Sequence, residues 1–195
     1  MNPAPQHGFS LIELMVTIVI FAVLVLLGVP SYQEWILNSR IRNASESIQN
    51  GLRLARNEAT QRDLDVRFEL TSAAATADWT VCALTATATS CTDTGAVPIQ
   101  SFVASGGAGG VLVGASVAIA QSTTFDTGLT GGLPAGITFD PLGRPTAYGT
   151  TSLLRIDAYA AQAGSRRLVT TISPGGQVRM CDPQLPLSTS PQGCK

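Results

Sequence analysis

Glu13 is the side chain in this sequence whose surroundings most need a chemical explanation. It lies near the start of an apolar run, G-F-S-L-I-E-L-M-V-T-I-V-I-F-A-V-L-V-L-L-G-V-P, which extends from Gly8 to Pro30. The run has about the 20 residues needed to cross the apolar core of a bilayer, and Glu13 is its only charged residue. An unpaired charge in lipid costs about 2.5–3.5 kcal/mol or more. The sequence therefore predicts a membrane helix in which the Glu13 carboxylate has a cationic partner.

The cysteines are the second group with chemical potential. There are four, in two pairs that are close in sequence: Cys82, Cys91, Cys181 and Cys194. Three connectivities are possible. We favour the local pairing, Cys82–Cys91 and Cys181–Cys194, in which each bond closes a loop of roughly ten residues; four buried free thiols are the alternative. Disulfides form in oxidising compartments, so the pairing predicts a domain outside the cytoplasm.

The residues around the start and the end of the run indicate which type of N-terminal signal it is. A secretory signal peptide would have a basic start, a shorter apolar stretch and a small-x-small cleavage site. The first eight residues here contain no lysine or arginine, and the run ends in Gly28-Val29-Pro30. The motif G-F-S-L-I-E-L, followed by an apolar helix, instead resembles the class III signal of type IV pilins and of the related secretion pseudopilins. An ordinary membrane anchor with an isolated glutamate is the alternative.

This resemblance implies a processing step and a partner for Glu13. The chain would be cut after Gly8 by a prepilin peptidase, which makes Phe9 the first mature residue, usually N-methylated in the family. Glu13 then matches the acidic position of the family, and Pro30 matches its common helix proline. The new cationic amine of Phe9, from the same copy or from a neighbouring one, would neutralise the Glu13 carboxylate during assembly.

Little enzymatic chemistry remains after such a cut. His7 is the only histidine and would be removed with the leader, and the only lysine is Lys195. The loss excludes Ser-His-Asp triads, Cys-His pairs and histidine-based metal sites. We therefore expect a protein that is not an enzyme, with no catalytic or metal-binding residues, no cofactor and no small-molecule substrate.

The periodicity of the chain predicts an α+β class, with one long helix followed by an antiparallel sheet, and the resemblance implies that the two pack as a pilin fold. The helix should run from near Ser10 to about Gln61, with a bend at Gly28-Val29-Pro30. In its second half, apolar residues recur at steps of three and four, at Ile41, Ala44, Ile48, Leu52, Ala55 and Ala59. The predicted organisation is a leader, 1–8, a transmembrane or filament-core helix, 9–30, and a periplasmic globular domain, 31–195.

Strands should follow the helix. Alternating apolar residues and turn signals predict them over Leu64–Leu70, Trp79–Leu84, 111–119, 137–140, 153–159, 166–173 and 177–181. A turn is expected at Pro141 and Gly143, because proline presets φ and glycine supplies a positive φ. Within the helix, Gly51 should mark a close contact rather than a break.

Two C-terminal motifs sharpen the resemblance. F-D-P-L-G-R-P and S-P-G-G-Q-V-R-M-C-D-P are similar to the C-terminal end of the minor pilins and pseudopilins of the GspH/FimT/FimU group. The resemblance implies a structural subunit of a type IV pilus, at or near its tip, anchored in the inner membrane and later exposed on the cell surface. Its partners would be prepilin peptidase and other minor and major pilins. A type II secretion pseudopilin is the alternative, and local sequence does not separate the two.

DNA binding is a further function that the resemblance suggests. FimT-like members are implicated in DNA uptake through basic C-terminal strands, and residues 144–195 here carry five arginines and one lysine against two aspartates. The candidate DNA contacts are Arg144, Arg155, Arg166, Arg167 and Arg179. Gln177 stands where the DNA-binding members have the first arginine of a Gly-Arg-x-Arg stretch. The alternative is a solvated strand face that protects a sheet edge from aggregation.

Overall fold

The N-terminal helix, α1, spans Leu11–Arg62, close to the predicted limits. The computed structural model describes residues 9–72, 74–85, 87–117, 136–162 and 164–194; the predicted leader and the end of the strand predicted over 111–119 lie outside them. The chain divides into two compact units, one up to Ile36 and one from Leu37 onwards. Within the described residues, α1 is the one helix long and apolar enough to cross a membrane.

The end of α1 is fixed by a local motif. Asp63 follows the last helical residue with a φ of 55°, in the left-handed region that aspartate tolerates better than most residues. The N–H of Leu64 donates to the carbonyl of Ala59 at 3.4 Å, which is the long-range bond of a Schellman cap. The chain is thereby turned from the helix into the first strand.

Eight strands form two antiparallel sheets in the described part of the chain. In chain order they are β1 (Val66–Leu70), β2 (Trp79–Ala83), β3 (Val97–Phe102), β4 (Leu112–Ser116), β5 (Gly136–Phe139), β6 (Arg155–Tyr159), β7 (Leu168–Ile172) and β8 (Val178–Cys181). The first sheet has the order β3-β2-β1-β5, and the second has the order β4-β6-β7-β8. The expectation of a single antiparallel sheet is thus refined to two.

The core lies between the second half of α1 and the two sheets. All six residues of the predicted apolar stripe are fully buried, and they share one cluster with side chains of both sheets, such as Phe68 and Ile156. Gly51 makes the predicted close contact, because a Cβ there would lie 2.9 Å from the Phe68 ring and 3.0 Å from the Trp79 ring. The missing side chain lets both aromatic residues reach the helix backbone.

Side-chain hydrogen bonds attach the second half of α1 to both sheets and their loops. They join the N–H of Arg166 to Asn38 Oδ1 at 2.9 Å, Arg40 Nη1 to the carbonyl of Gly109 at 3.2 Å, Trp79 Nε1 to Ser47 Oγ at 2.9 Å, and Arg56 Nε to the carbonyl of Gly143 at 3.1 Å. Each pairs a helix residue with a distant part of the sequence. The helix is therefore held by specific polar contacts as well as by its apolar stripe.

Sequence patterns did not predict β3. It lies at the edge of the first sheet, and its side chains are exposed or half-buried along its whole length. A strand without a buried face shows no apolar alternation, and Pro98 argues against a strand except at an edge. The edge position explains both features, since an edge strand needs hydrogen bonds on one side only.

Both disulfides occur in the local pairing that the sequence favours, Cys82–Cys91 and Cys181–Cys194. The first joins β2 to the loop that follows it. Glu69 on β1 supports this loop, because its carboxylate accepts hydrogen bonds from the N–H of Cys91 at 2.8 Å and from Ser90 Oγ. The second disulfide joins the end of β8 to Cys194, and both of its cysteines pack on Val169.

Asp93 follows the first disulfide in sequence, organises the turn at Thr89 and Ser90, and provides a pH-dependent prediction. The N–H groups of Thr89 and Ser90 donate to its carboxylate at 2.8 and 2.9 Å, and these bonds hold the Asp93 pKa below its ordinary value of 3.8. Because the pKa of Asp93 is lower in the folded state, the ionised carboxylate stabilises the fold. This stabilisation is fully present above pH 3.8 and is lost as the pH falls through the folded pKa.

An NMR titration of the Asp93 carboxyl carbon should therefore give a pKa below 3.8. The Thr89 and Ser90 amide resonances should move with the same midpoint, since both amides donate to this carboxylate. In the Asp93→Asn variant this titration of the two amides should disappear. A carboxyl midpoint at or above 3.8 would show that the two bonds do not form in solution.

Candidate functional site

The predicted assembly segment exposes its apolar side chains. Every residue from Phe9 to Val29 is exposed, including Phe9 at 84% and Phe21 at 69%. Soluble proteins rarely present so large a continuous apolar surface unless a membrane or a partner covers it. The segment therefore needs lipid or other helices around it.

Glu13 lies in the first turn of α1. A carboxylate is favoured there by the unpaired N–H groups at the helix start, a feature that the sequence analysis did not use. Its side chain makes no hydrogen bond or ion pair within the described residues. Phe9 is exposed just before the helix, and Gly8 lies outside the described residues. The carboxylate is thus available for a cation supplied at the helix start.

Asp157 gathers two of the five arginines predicted to contact DNA. Arg155 and Asp157 are both buried, at 4% and 2% exposed, and Arg155 Nε donates to Asp157 Oδ1 at 2.6 Å. Arg167 Nη2 lies 2.8 Å from Asp157 Oδ2, with only 12% of its side chain exposed. Residues i and i+2 of a strand share a face, so Arg155 and Asp157 are buried together on the face of β6 opposite to the core residues Ile156 and Ala158. Arg155 and Arg167 therefore have structural positions that leave little of either side chain for a DNA contact, so their burial gives the predicted DNA role no support.

Two other predicted arginines are exposed but ion-paired. Arg144 Nε lies 3.4 Å from Asp140 Oδ2, and Arg166 Nη2 lies 2.5 Å from Asp182 Oδ2. Each aspartate also organises a turn: Asp140 accepts the N–H groups of Leu142 and Arg144. These pairs reduce the positive charge that a phosphate would meet, so the basic C-terminal block is not a continuous basic surface.

Arg179 differs from the other four. It is exposed on β8, and its Nη2 donates to the carbonyls of Gly193 at 2.8 Å and Pro191 at 3.4 Å. Neutral carbonyls orient the guanidinium without cancelling its charge. Among the described residues, Arg179 has no carboxylate partner.

Arg179 instead lies beside two arginines of α1 that sequence reasoning did not select. An open groove of about 420 Å³ separates the helix from the β7–β8 turn. It is lined by Arg53, Arg56, Asn57, Gly176, Gln177, Val178 and Arg179, and we call it the basic groove. The helical periodicity placed Arg53 off the apolar stripe, but only the fold shows that β8 approaches this face.

Two turns that contain glycine meet beside the basic groove. Gly143 and Gly176 have φ values of 72° and 73°, and a Cβ on Gly176 would lie 2.2 Å from the carbonyl oxygen of Gly143. The same Cβ would lie 3.2 Å from Arg56 Nε. The D-P-L-G-R and P-G-G turns, one from each sheet, therefore meet over Arg56, which explains why both motifs need glycine.

No cluster of three metal-ligating side chains occurs in the described ranges. The features that remain are an exposed apolar helix with an acidic first turn, a two-sheet domain and a basic groove. Comparisons with known proteins identify the family that has this combination. A model of the prokaryotic N-terminal methylation motif matches residues 3–29. A model described as the type II transport protein GspH matches residues 44–176, more than half of the 195 residues.

The chain belongs to the GspH family. This is a family of structural pilin and pseudopilin subunits, so the GspH-family chain is a minor pilin or pseudopilin, as the sequence motifs predicted. Its methylation motif and its apolar helix imply membrane anchoring, processing by prepilin peptidase and assembly with other pilins.

A solved structure supports the fold of this GspH-family chain. The minor pseudopilin EpsH of the Vibrio cholerae type 2 secretion system superposes with a TM-score of 0.50 at 14% identity, covering 75% of this chain and 99% of EpsH. The type IV minor pilin FimU of Pseudomonas aeruginosa gives a TM-score of 0.44 at 16% identity, covering 79% of this chain and 99% of FimU. Among curated proteins the search found no match.

Proposed function

We propose that this chain is a minor pilin that acts structurally in the assembly of a type IV pilus, at or near its tip. The observation that carries the proposal is Glu13, the only charge in the apolar run from Gly8 to Pro30, close behind the proposed cleavage site. Processing after Gly8 would place a cationic amine on Phe9, at the start of the helix. The two disulfides suit a domain displayed outside the cytoplasm.

The physics of assembly explains how a single carboxylate can control the entry of this helix into a filament. When the apolar helices leave lipid for a helical bundle, one apolar environment replaces another, so the apolar side chains supply little net free energy. An unpaired Glu13 or an unpaired Phe9 amine would oppose entry into the bundle. Pairing the amine of one subunit with the carboxylate of a neighbour removes both costs, and it also fixes the axial register between the two helices.

A pseudopilin of a type II secretion system is the second candidate, because the matching family model is described as a type II transport protein. The two roles predict different locations. Immunoblotting should detect a minor pilin in pili sheared from the cell surface, and deletion should reduce piliation. A pseudopilin should stay in the cell envelope, and its deletion should block protein secretion while pili remain. The second pattern would overturn the pilus assignment.

Replacement of the leader glycine tests the processing step. We expect the Gly8→Ala variant to accumulate as the uncut precursor in the membrane, because the proposed cleavage site follows Gly8 directly. The His7→Ala variant, changed one position earlier, should be cut normally. Mass spectrometry of the mature N-terminus should find methylated Phe9 in the wild-type and His7→Ala chains. If the Gly8→Ala chain were cut between residues 8 and 9, the leader assignment would be wrong.

A further inference from the structure

The basic groove brings together three guanidinium groups from separate parts of the chain. Arg53 and Arg56 lie on α1, and Arg179 lies on β8. Asn57 and Gln177 add amide groups to the rim, and Val178 adds a half-buried apolar wall. The groove therefore combines positive charge, neutral hydrogen-bonding groups and a small apolar surface.

The charges in this groove are not neutralised within the described part of the chain. No aspartate or glutamate lines it. Arg56 and Arg179 are oriented by backbone carbonyls, and Arg53 makes no hydrogen bond or ion pair with any described residue. Like charges that share a groove repel one another, so an anion that enters it relieves the repulsion and gains charge-assisted hydrogen bonds.

The surroundings of the groove limit what kind of anion fits. A nucleic-acid site needs a basic track along which several phosphates can bind. Here several of the other exposed arginines are paired with carboxylates, as at Arg62–Glu58 and Arg144–Asp140. Arg40 lies outside the groove and donates to the carbonyl of Gly109, and the whole chain has a net charge of −1. Among the described residues, arginines without a carboxylate partner thus cluster in one short groove, which suits one or two carboxylates better than a phosphate backbone.

A protein segment could also contact the uncharged residues that line the groove. Amide side chains such as Asn57 and Gln177 can pair with a peptide backbone, and Val178 can contact an apolar side chain. The chain itself shows a segment of this chemistry, since Asp63 and Asp65 are exposed on either side of Leu64, which is 47% exposed.

We propose that the basic groove binds an acidic segment of a neighbouring pilin-like subunit, with Arg53 and Arg179 as the carboxylate contacts. This inference rests on the proposed role in filament assembly and adds a contact between globular domains to the one at Glu13. Bidentate pairing of a guanidinium with a carboxylate fixes orientation as well as distance. The groove then determines which neighbour fits beside the subunit.

A binding measurement tests the chemistry of the site. The full chain in detergent micelles is titrated with fluorescent hexaglutamate and, separately, with a thymidine hexanucleotide at the same ionic strength. Hexaglutamate should bind more tightly than the oligonucleotide, and its affinity should fall at least fivefold in Arg53→Gln and in Arg179→Gln. Arg42→Gln is the matched control: Arg42 is an exposed α1 arginine paired with Glu46 outside the groove, and its loss should leave binding unchanged.

Either of two results would overturn the proposal: tighter binding of the oligonucleotide, or equal weakening by Arg42→Gln and Arg53→Gln. Arg53 is the primary site of change because it is exposed and makes no hydrogen bond or ion pair with a described residue, so its variants should fold. Arg56 is left intact because it supports the two glycine turns.

Assembly in cells separates failure of this inference from failure of the proposed function. The Arg53→Glu variant should be cleaved and methylated normally, yet be recovered in the filament fraction at least fivefold less than the wild-type chain. Normal recovery of Arg53→Glu beside a recovered wild-type chain would overturn the groove contact and leave the filament role intact. A wild-type chain that never enters a filament would overturn the proposed function and the identity of the partner with it.

Discussion

The Glu13→Ala variant should be cleaved and N-methylated like the wild-type chain but should enter filaments at least tenfold less. The substitution leaves the apolar helix intact, and the alanine is a good helix former. It removes the only carboxylate in the apolar run, so the Phe9 amine of a neighbouring subunit would remain unpaired among apolar side chains, at a cost of about 2.5–3.5 kcal/mol. The measurement is the ratio of mature chain in sheared filaments to mature chain in membranes.

Two further variants separate the charge of Glu13 from its other properties. Thr17→Ala is the matched control, because Thr17 lies one turn further along the exposed helix and its hydroxyl bonds only to the carbonyl of Leu14. It should be incorporated normally. Glu13→Gln keeps a hydrogen-bond acceptor in the first turn without the charge, and it should fail nearly as severely as Glu13→Ala. Normal incorporation of Glu13→Gln would show that the carboxylate acts as a helix cap and not as a counter-ion.

The Gly176→Ala substitution should cause the second large effect, a loss of stability in the globular domain. Gly176 has a φ of 73°, and forcing a residue with a Cβ into that region costs about 1–3 kcal/mol. The added Cβ would also lie 2.2 Å from the backbone oxygen of Gly143, so the two turns would have to separate. Thermal unfolding of the full chain in detergent, followed by tryptophan fluorescence, should show a Tm lower by roughly 2–4 °C for each kcal/mol lost.

The adjacent glycine provides the control for this prediction. A Cβ on Gly175 would have no atom within 4 Å, and its φ lies outside the left-handed region. Gly175→Ala should therefore change the free energy of unfolding by no more than about 0.5 kcal/mol. Equal Tm values for the two variants would mean that the turns do not pack on each other in solution.

The sequence predicted the features that depend on local patterns. The buried stripe of α1, the close approach at Gly51 and the turn at Gly143 are each determined by spacing or by residue type, and the structure confirms them. The cleavage motif was recognisable for the same reason, since its residues are contiguous. β3 was missed because an exposed edge strand with a proline carries no alternating pattern.

The basic residues show what local patterns could not predict. Arg155 and Asp157 were visible in sequence, but they lie on the face of β6 opposite to the core residues Ile156 and Ala158, and the cover of that face includes the distant residue Arg167. The ion pair between Arg166 and Asp182 joins two separate segments of the chain. The basic groove likewise contains both Arg53 and Arg179, which are far apart in sequence. Net charge by segment therefore identified a basic block, whereas two of the ion pairs that reduce its charge, Arg166–Asp182 and Arg167–Asp157, depend on long-range contacts.

The polar contacts between α1 and the two sheets have a mechanical consequence. The four helix residues involved, from Asn38 to Arg56, span roughly 27 Å of the helix at 1.5 Å per residue. Tension applied along the helix axis would load these bonds in shear, so that they share the force instead of breaking one after another. A subunit pulled by its N-terminal helix should for this reason resist detachment of its globular domain over a wide range of forces.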